Sequence, residues 1–206
     1  KCQGECGCSC HGWEAPEAPE APEAYKPITC DMHCDALWQL SGYALRQAPP
    51  TVDLQRMQFG GLDKVVLSLY LSDATQDSLG DDESWRSIEL QVKRAKDLFP
   101  GQFIALEGGR VLSLDVVRMM SRLKQLTADG IKYLTLTHNS NNGLCGSATD
   151  KKVIGLTKLG YEVIKECDDY GIFIDVSHAS DTSIAEILDV QVRPVIASHS
   201  GCRALL

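Results

Sequence analysis

The chain has 206 residues, of which 44% are hydrophobic and 23% charged, the ordinary composition of a globular protein that buries one sizeable core. The formal net charge is −8 and no cluster of Lys or Arg is present, so the composition argues against nucleic acid as a partner. Apolar runs such as Val65–Leu71 are far too short to cross a bilayer, which predicts a chain without a membrane span.

The first 24 residues differ in composition from the rest. Four of the nine cysteines fall within the first ten residues, and residues 13–24 repeat Glu-Ala-Pro. Proline at every third position favours an extended spacer, so we expect a disordered tail over residues 1–24 and a folded part over residues 25–206. The clustered cysteines and His11 can also bind a soft metal. The other five cysteines show no framework spacing, which is typical of reduced thiols, and we expect a cytoplasmic protein.

From Tyr25 onward, short apolar runs alternate with longer segments of helical periodicity. The predicted strands are Pro27–Asp31, Lys64–Leu71, Gln102–Leu106, Ile131–Thr137, Gly171–Val176 and Pro194–Ala197. The clearest predicted helices are Ser84–Leu98, Leu114–Ala128, Thr157–Tyr170 and Thr182–Leu188. Ser113 and Asp181 are predicted N-caps, and Gly130 and Gly171 are expected where helices end. This alternation indicates a parallel sheet covered by helices.

Two parallel architectures fit the alternation. An open doubly wound sheet usually binds phosphate with a Gly-rich first turn, and neither GxGxxG nor GxxxxGK[ST] occurs here. In a (β/α)₈ barrel every strand delivers functional residues to one shared face, and five of the six predicted strands are followed by His, Asp or Glu. The sequence therefore predicts an α/β fold with a (β/α)₈ TIM-like barrel. Only about six βα units fit before Leu206, so we expect a barrel truncated after about the sixth unit.

Residues after the first, fifth and sixth predicted strands have the side chains of a metal site. Residues i and i+2 of a strand point to one side, so His33 and Asp35 should face one direction and Cys34 the other. The first two offer an imidazole and a carboxylate to one ion. His178 and His199 can supply two imidazoles to another ion.

Glu107 and His138 complete the predicted site. Glu107 has two oxygens and can bridge two ions, and imidazole with carboxylate suits Zn²⁺ best, with Mn²⁺ or Co²⁺ as substitutes. Two metals roughly 3.5–4 Å apart can hold a hydroxide at neutral pH, which is a nucleophile for a carbonyl. His138 can donate a hydrogen bond to the developing oxyanion. The pattern predicts a metal-dependent hydrolase with two Zn²⁺ ions and with Glu107 and His138 as catalytic residues.

Each of these residues also has a plainer interpretation. A single histidine is more often a core or surface group, Glu107 can cap a helix beside two glycines, and His33 can pair with Asp35 alone. The joint pattern favours the metal site, because four of the five histidines and this glutamate follow predicted strands. A non-catalytic, metal-binding pseudoenzyme remains an alternative.

Five motifs in this sequence resemble the membrane (renal) dipeptidase family. They are DMHCDALW (Asp31–Trp38), EGG (Glu107–Gly109), YLTLTHN (Tyr133–Asn139), IDVSHAS (Ile174–Ser180) and PVIASHSGCRAL (Pro194–Leu205). They match in order and in approximate spacing, and the resemblance extends from Tyr25 to the end of the chain. Met32 and Cys34 stand where the family usually has Gly and Asn.

The resemblance implies a (β/α)₈ barrel with a binuclear zinc site that hydrolyses dipeptides. The zinc ligands carried over by motif are His33 and Asp35 for one ion, His178 and His199 for the other, and Glu107 bridging both. His138 would contact the substrate and stabilise the tetrahedral intermediate, and Trp38 would wall the substrate pocket, although plain packing explains Trp38 equally well. Another amidohydrolase-like metal hydrolase stays open, but it would more naturally show His-x-His on the first strand.

The family's substrate-binding arginine and catalytic aspartate follow the SHS motif and have no counterpart before Leu206. Arg203 belongs to the start of a helix and is not assigned that role. We therefore expect the 206-residue chain to have little or no activity by itself. A dipeptide is the expected small-molecule partner, and the sequence leaves a homodimer open.

Overall fold

The computed structural model describes residues 27–40 and 51–201. The strands are β1 (Cys30–Cys34), β2 (Lys64–Tyr70), β3 (Phe103–Glu107), β4 (Ile131–Thr135) and β5 (Phe173–Asp175). The α-helices are α1 (Ala36–Leu40), α2 (Leu54–Gly60), α3 (Asp73–Leu79), α4 (Asp81–Leu98), α5 (Val116–Asp129), α6 (Lys158–Tyr170) and α7 (Asp181–Val190), and a 3-10 helix spans Gly109–Leu112.

The five strands form one parallel sheet in the order β1-β2-β3-β4-β5, which is also their order along the chain. With the connecting helices they form half of a barrel, which confirms the predicted α/β architecture. Because all strands run in one direction, their carboxyl ends lie along one rim.

The two faces of the sheet have different roles. On β2, Val65, Leu67 and Leu69 are buried in the main core with the helices. The alternate side chain Val66 faces the inside of the half-barrel, where it packs in a small cluster with Ala105 and Tyr133. Burial of the first face stabilises the fold at about 25 cal/mol per Å² of apolar surface, whereas the second face carries polar residues toward the rim.

The first strand differs from its prediction. The predicted segment was Pro27–Asp31, but β1 is shifted toward the carboxyl end and contains His33. β1 begins at Cys30 because this residue pairs with Lys64, the first residue of β2. Cys34 is buried in the main core, as expected from the alternation.

The sixth predicted strand is reduced to a single bridge. Ile196 pairs in parallel with Asp175, and its backbone hydrogen bonds reach Val176 and Ile174. The segment around Ile196, which follows α7, therefore lies beside β5 in the next position of the sheet without forming a full strand. Pro194 lacks an N–H, which limits the ladder on its side.

The predicted carboxyl ends of α4 and α6 are correct, whereas α5 and α7 end one and two residues later than predicted, and all four amino ends are displaced by one to three residues. Gly130 and Gly171 have φ values of 93° and 75° and end α5 and α6 as expected. The N-cap of α5 is Asp115, not Ser113, whose hydroxyl donates to a carbonyl of the preceding 3-10 helix. The N-cap of α7 is Ser180, and Asp181 is the first helical residue.

Within the described ranges, no helix combines the length and the apolar character that crossing a bilayer requires. The prediction of a disordered Cys-rich and Glu-Ala-Pro tail concerns residues 1–24, which lie outside the described residues.

Candidate metal centre

A row of polar side chains crosses the inner face of the sheet at its carboxyl rim. Tyr70, Glu107, Thr135 and Asp175 are level in the strand register, each paired with the next across β2 to β5. Glu107 is 5% exposed and both Thr135 and Asp175 are fully buried. Two buried carboxylates, those of Glu107 and Asp175, are therefore separated in this row by Thr135.

Four histidines approach this row from strand β1 and from the segments that follow the later strands. His33 lies on β1, His138 follows β4, His178 follows β5, and His199 follows the Ile196 bridge. Among the described residues, His178 is the one non-glycine residue with a positive φ, 66°. This conformation costs about 1–3 kcal/mol, and such strain is typical of functional sites.

One oxygen of Glu107 faces the first histidine. The Nε2 atom of His33 lies 3.3 Å from Oε2 of Glu107 and 3.5 Å from Oδ1 of Asp35. The Ser68 hydroxyl donates to the same Oε2 at 2.8 Å. His33 is nearly buried, with 10% of its side chain exposed, whereas the Asp35 side chain is 50% exposed.

The other oxygen of Glu107 faces the remaining histidines. The Nε2 atom of His178 lies 3.2 Å from Oε1, and those of His138 and His199 both lie 3.8 Å from it. The Nε2 atoms of His178 and His199 are 2.8 Å apart. The rings also pack on one another, with centroids of His138 and His178 separated by 4.4 Å.

Within the part of the chain that the structure describes, two groups of donor atoms are compact enough to surround an ion. Each has all its donor atoms within 4.8 Å of one another, and Glu107 belongs to both. The groups are His33, Glu107 and His199, and Glu107, His138 and His178. The sequence predicts His178 and His199 as ligands of the same ion. In these groups, by contrast, His199 lies with His33, and His178 lies with His138.

The electrostatics of the cluster favour a bound cation. Burial opposes the ionisation of Glu107, but hydrogen bonds from His178 and His33 outweigh it and lower the pKa of the carboxyl well below its usual range. Burial acts against the charge of His33 as well, yet its contacts with Asp35 and Glu107 raise its pKa to about 10. Burial lowers the pKa of His138 and of His199. A buried carboxylate among imidazoles has the donor set that binds Zn²⁺.

Hydroxyl groups contact the ring nitrogens that point away from Glu107. In each case the contact is with Nδ1, while Nε2 faces the carboxylate. The pairs are His33 with Tyr133 (3.1 Å), His199 with Ser198 (2.9 Å) and His138 with Tyr70 (3.4 Å). These contacts orient the three rings toward a common centre.

A profile of the family described as Membrane dipeptidase (Peptidase family M19) matches residues 100–206, just over half of the chain. The chain belongs to the membrane dipeptidase family. Dipeptidase 3 of Homo sapiens is 40% identical over 132 residues, which are 59% of this chain and 26% of the relative. Dipeptidase tcpJ of Claviceps purpurea (strain 20.1) is 38% identical over 96 residues, 46% of this chain and 21% of that protein. The chain thus spans about a quarter of the length of the curated relatives it matches.

Solved structures support the fold. The probable dipeptidase PvdM from Pseudomonas aeruginosa superposes with a TM-score of 0.69 at 20% identity, over 86% of this chain and 53% of that one. A metallo peptidase from Rhodobacter sphaeroides, liganded with a phosphinate mimic of the dipeptide L-Ala-D-Ala, gives 0.69 at 17% identity, over 86% of this chain and 66% of that one. At these identities the likeness concerns the barrel architecture shared with the family.

The residues expected from the sequence therefore converge geometrically, although their roles in the family's chemistry stay predictions. Trp38 lies on α1, directly after β1, and the residue is 46% exposed; its part in a substrate pocket also stays a prediction. Sequence inspection missed Tyr70, Tyr133 and Asp175. The alternation of side chains along each strand could have identified them, because all three lie at inward-facing positions. Tyr70 and Asp175 belong to the rim row, and Tyr133 lies two residues before Thr135 on β4.

Proposed function

We propose that this chain carries the binuclear zinc centre of a dipeptidase. One observation carries the proposal: the two oxygens of Glu107 face different sets of ligands. Oε2 is turned to His33, and Oε1 is turned to His178 and His199. A buried carboxylate placed in this way is suited to bridge two cations.

Ligand spacing supports the division of residues between the ions. Two ligands of one tetrahedral zinc, each with a bond of about 2.0–2.1 Å, lie about 3.3 Å apart. The contacts of His33 with Asp35 (3.5 Å) and with Glu107 (3.3 Å) fit this separation, as does that of His178 with Glu107 (3.2 Å).

The remaining histidines are assigned from their distances to these ligands. His199 joins His178, because their Nε2 atoms lie 2.8 Å apart. His138 lies as far from Oε1 of Glu107 as His199 does, 3.8 Å, and it is left for the substrate because it matches the histidine of the family's TLTH motif.

Zinc ions, when bound, would supply Lewis acidity and a water nucleophile activated at neutral pH. The chain's own residues do the rest. His33 and Asp35 would hold one ion, His178 and His199 would hold the other, and Glu107 would contribute to both sets. His138 presents Nε2 toward the centre while Tyr70 contacts its Nδ1, so the ring is set to donate a hydrogen bond to the carbonyl oxygen as negative charge develops.

A dipeptide is the proposed substrate because the family is that of the dipeptidases and the centre is open at the rim. Asp35 is half exposed and His199 is 37% exposed, so a small molecule can reach both ligand sets. Trp38 is proposed to contact the substrate from α1. The chain spans about a quarter of the length of its curated relatives, so metal binding by the chain does not by itself establish hydrolysis. The two properties are therefore measured separately.

Zinc titration of the full chain tests the centre. After chelator treatment, we expect two equivalents of Zn²⁺ to bind in calorimetry and to be retained in elemental analysis. Glu107→Gln should lose both, because the bridging charge is removed from both sets. Glu162→Gln, at an exposed position of α6, is the matched control and should still bind two equivalents.

Hydrolysis is followed by release of free amino acids from a panel of dipeptides with the zinc-loaded chain. One tightly held ion that survives Glu107→Gln would contradict the binuclear centre and favour a non-catalytic metal-binding module. Hydrolysis of dipeptides that depends on Glu107 and on added zinc would establish the activity for this chain.

A further inference from the structure

The carboxylate of Asp175 lies behind the metal centre and takes no part in the proposed ligand set. It is fully buried at the end of β5. Five donors converge on it. Oδ1 accepts from the Ser177 N–H (3.1 Å), the Ser177 hydroxyl (2.8 Å) and the Ser198 N–H (2.9 Å), and Oδ2 accepts from the Thr135 hydroxyl (2.6 Å) and the Ser198 hydroxyl (2.7 Å).

The two serines bonded to Asp175 immediately precede two of the histidines. Ser177 is followed by His178, and Ser198 by His199. The backbone N–H of His199 also donates to the Ser177 hydroxyl oxygen at 3.2 Å. One buried carboxylate therefore ties together both segments from which these imidazoles project.

The direction of these hydrogen bonds determines which nitrogen of His199 carries a proton. A carboxylate has no proton to give, so the Ser198 hydroxyl donates to Asp175 and its oxygen is left as an acceptor. Nδ1 of His199 lies 2.9 Å from that oxygen and must therefore be the donor. The proton is then on Nδ1, and Nε2 keeps its lone pair facing His178 and Glu107.

We propose that Asp175 is a positioning residue which, through the Ser198 hydroxyl, holds His199 in the Nδ1–H tautomer with Nε2 free to bind a metal. This inference rests on the proposed function for its purpose, but the tautomer itself is a property of the metal-free chain. Metal-bound histidines commonly donate their second ring N–H to such a partner, here a serine interposed before the carboxylate.

Asp175→Asn reverses the polarity at an almost unchanged shape. Two backbone N–H groups can only donate, so the amide oxygen must occupy the Oδ1 position. The amide nitrogen then faces the hydroxyls of Thr135 and Ser198 and donates to them. The Ser198 proton is released to turn toward Nδ1 of His199, and the ring proton moves to Nε2.

Long-range ¹H–¹⁵N correlation spectra of the imidazoles in the zinc-free chain measure this directly. We expect the His199 signals of the original chain to show a protonated Nδ1, those of Asp175→Asn a protonated Nε2, and those of Ser198→Ala a loss of the Nδ1–H form. Thr135→Val is the matched control: it removes a donor from the same Oδ2 atom but leaves the Ser198 hydroxyl in place, so the tautomer should not change.

Zinc titration supplies the second readout. Asp175→Asn and Ser198→Ala should weaken zinc binding by about 10–100-fold, the usual effect of removing a partner behind a metal-bound histidine, and Thr135→Val should leave it nearly unchanged. Circular dichroism confirms that each variant is folded. If Asp175→Asn does not fold, Ser198→Ala decides alone.

An unchanged Nδ1–H signal in Asp175→Asn or Ser198→Ala overturns the inference, even if the original chain binds two zinc ions. Absence of zinc binding by the original chain would remove the proposed function instead. The tautomer measurement would then still decide whether Asp175 sets the proton on His199.

Discussion

Gly160 on α6 packs against the segment that follows His138, and adding one methyl group there measures how tight that packing is. A Cβ at Gly160 would lie 3.1 Å from the carbonyl carbon of Leu144 and would overlap its oxygen. The same oxygen accepts the N–H of Thr157, the N-cap of α6, at 2.8 Å. The backbone of the loop would therefore have to move away from the helix.

The expected magnitude follows from opposing effects of Gly160→Ala. Replacing glycine inside a helix stabilises by about 0.5–1 kcal/mol. Overpacking costs about 1–3 kcal/mol, and weakening the Thr157 hydrogen bond costs about 0.5–1.5 kcal/mol more. The free energy of unfolding should thus fall by about 0.5–4 kcal/mol.

Gly60→Ala is the matched control for Gly160→Ala. Gly60 is the last residue of α2, and no atom lies within 4 Å of a Cβ built on it. This change should raise the free energy of unfolding by about 0.4–1 kcal/mol. Urea denaturation followed by circular dichroism compares the two variants at equal m-values. If Gly160→Ala stabilises as much as Gly60→Ala, the close approach of Leu144 to α6 is wrong.

Three further predictions concern stability. Arg122→Met removes a guanidinium that donates to both oxygens of Asp81 and to the buried carbonyl of Val111, and it should lower the free energy of unfolding by about 1–3 kcal/mol in urea denaturation; no change would contradict that role. Lys96→Ala breaks a largely exposed pair with Asp129, and its effect in the same assay should stay below about 1 kcal/mol; a larger loss would refute the weak pairing. Zinc at about 100 times its dissociation constant should stabilise the chain by about 2.7 kcal/mol per site, and thermal unfolding with and without chelator measures this shift; an unchanged midpoint would exclude tight binding to the folded chain.

The convergence of the site could be predicted because parallel strands place their carboxyl ends on one rim. The runs from Lys64, Gln102 and Ile131 are apolar enough to identify the strands, and the polar residue after each run marks the rim. His33 and Glu107 are brought together although 74 positions separate them in the sequence.

The parts that escaped prediction depend on short elements and on hydrogen bonds between distant residues. Helices α1 to α3 have five to seven residues each, too few for a helical period to stand out. The role of Asp175 depends on its hydrogen bond with Ser198, 23 positions along the chain, and its proximity to Thr135 follows only from the β4–β5 register. Spacing in the sequence does not contain that information.

The sheet order has a consequence for how such a site can arise and change. Every strand pairs with the strand next to it along the chain, so the sheet can grow by adding one strand and its helix at a time. Each addition brings one new rim side chain and extends the core that the strands share with the helices. Substitutions at the rim can therefore alter the chemistry of the centre while the outer packing, built by different residues of the same strands, keeps the fold.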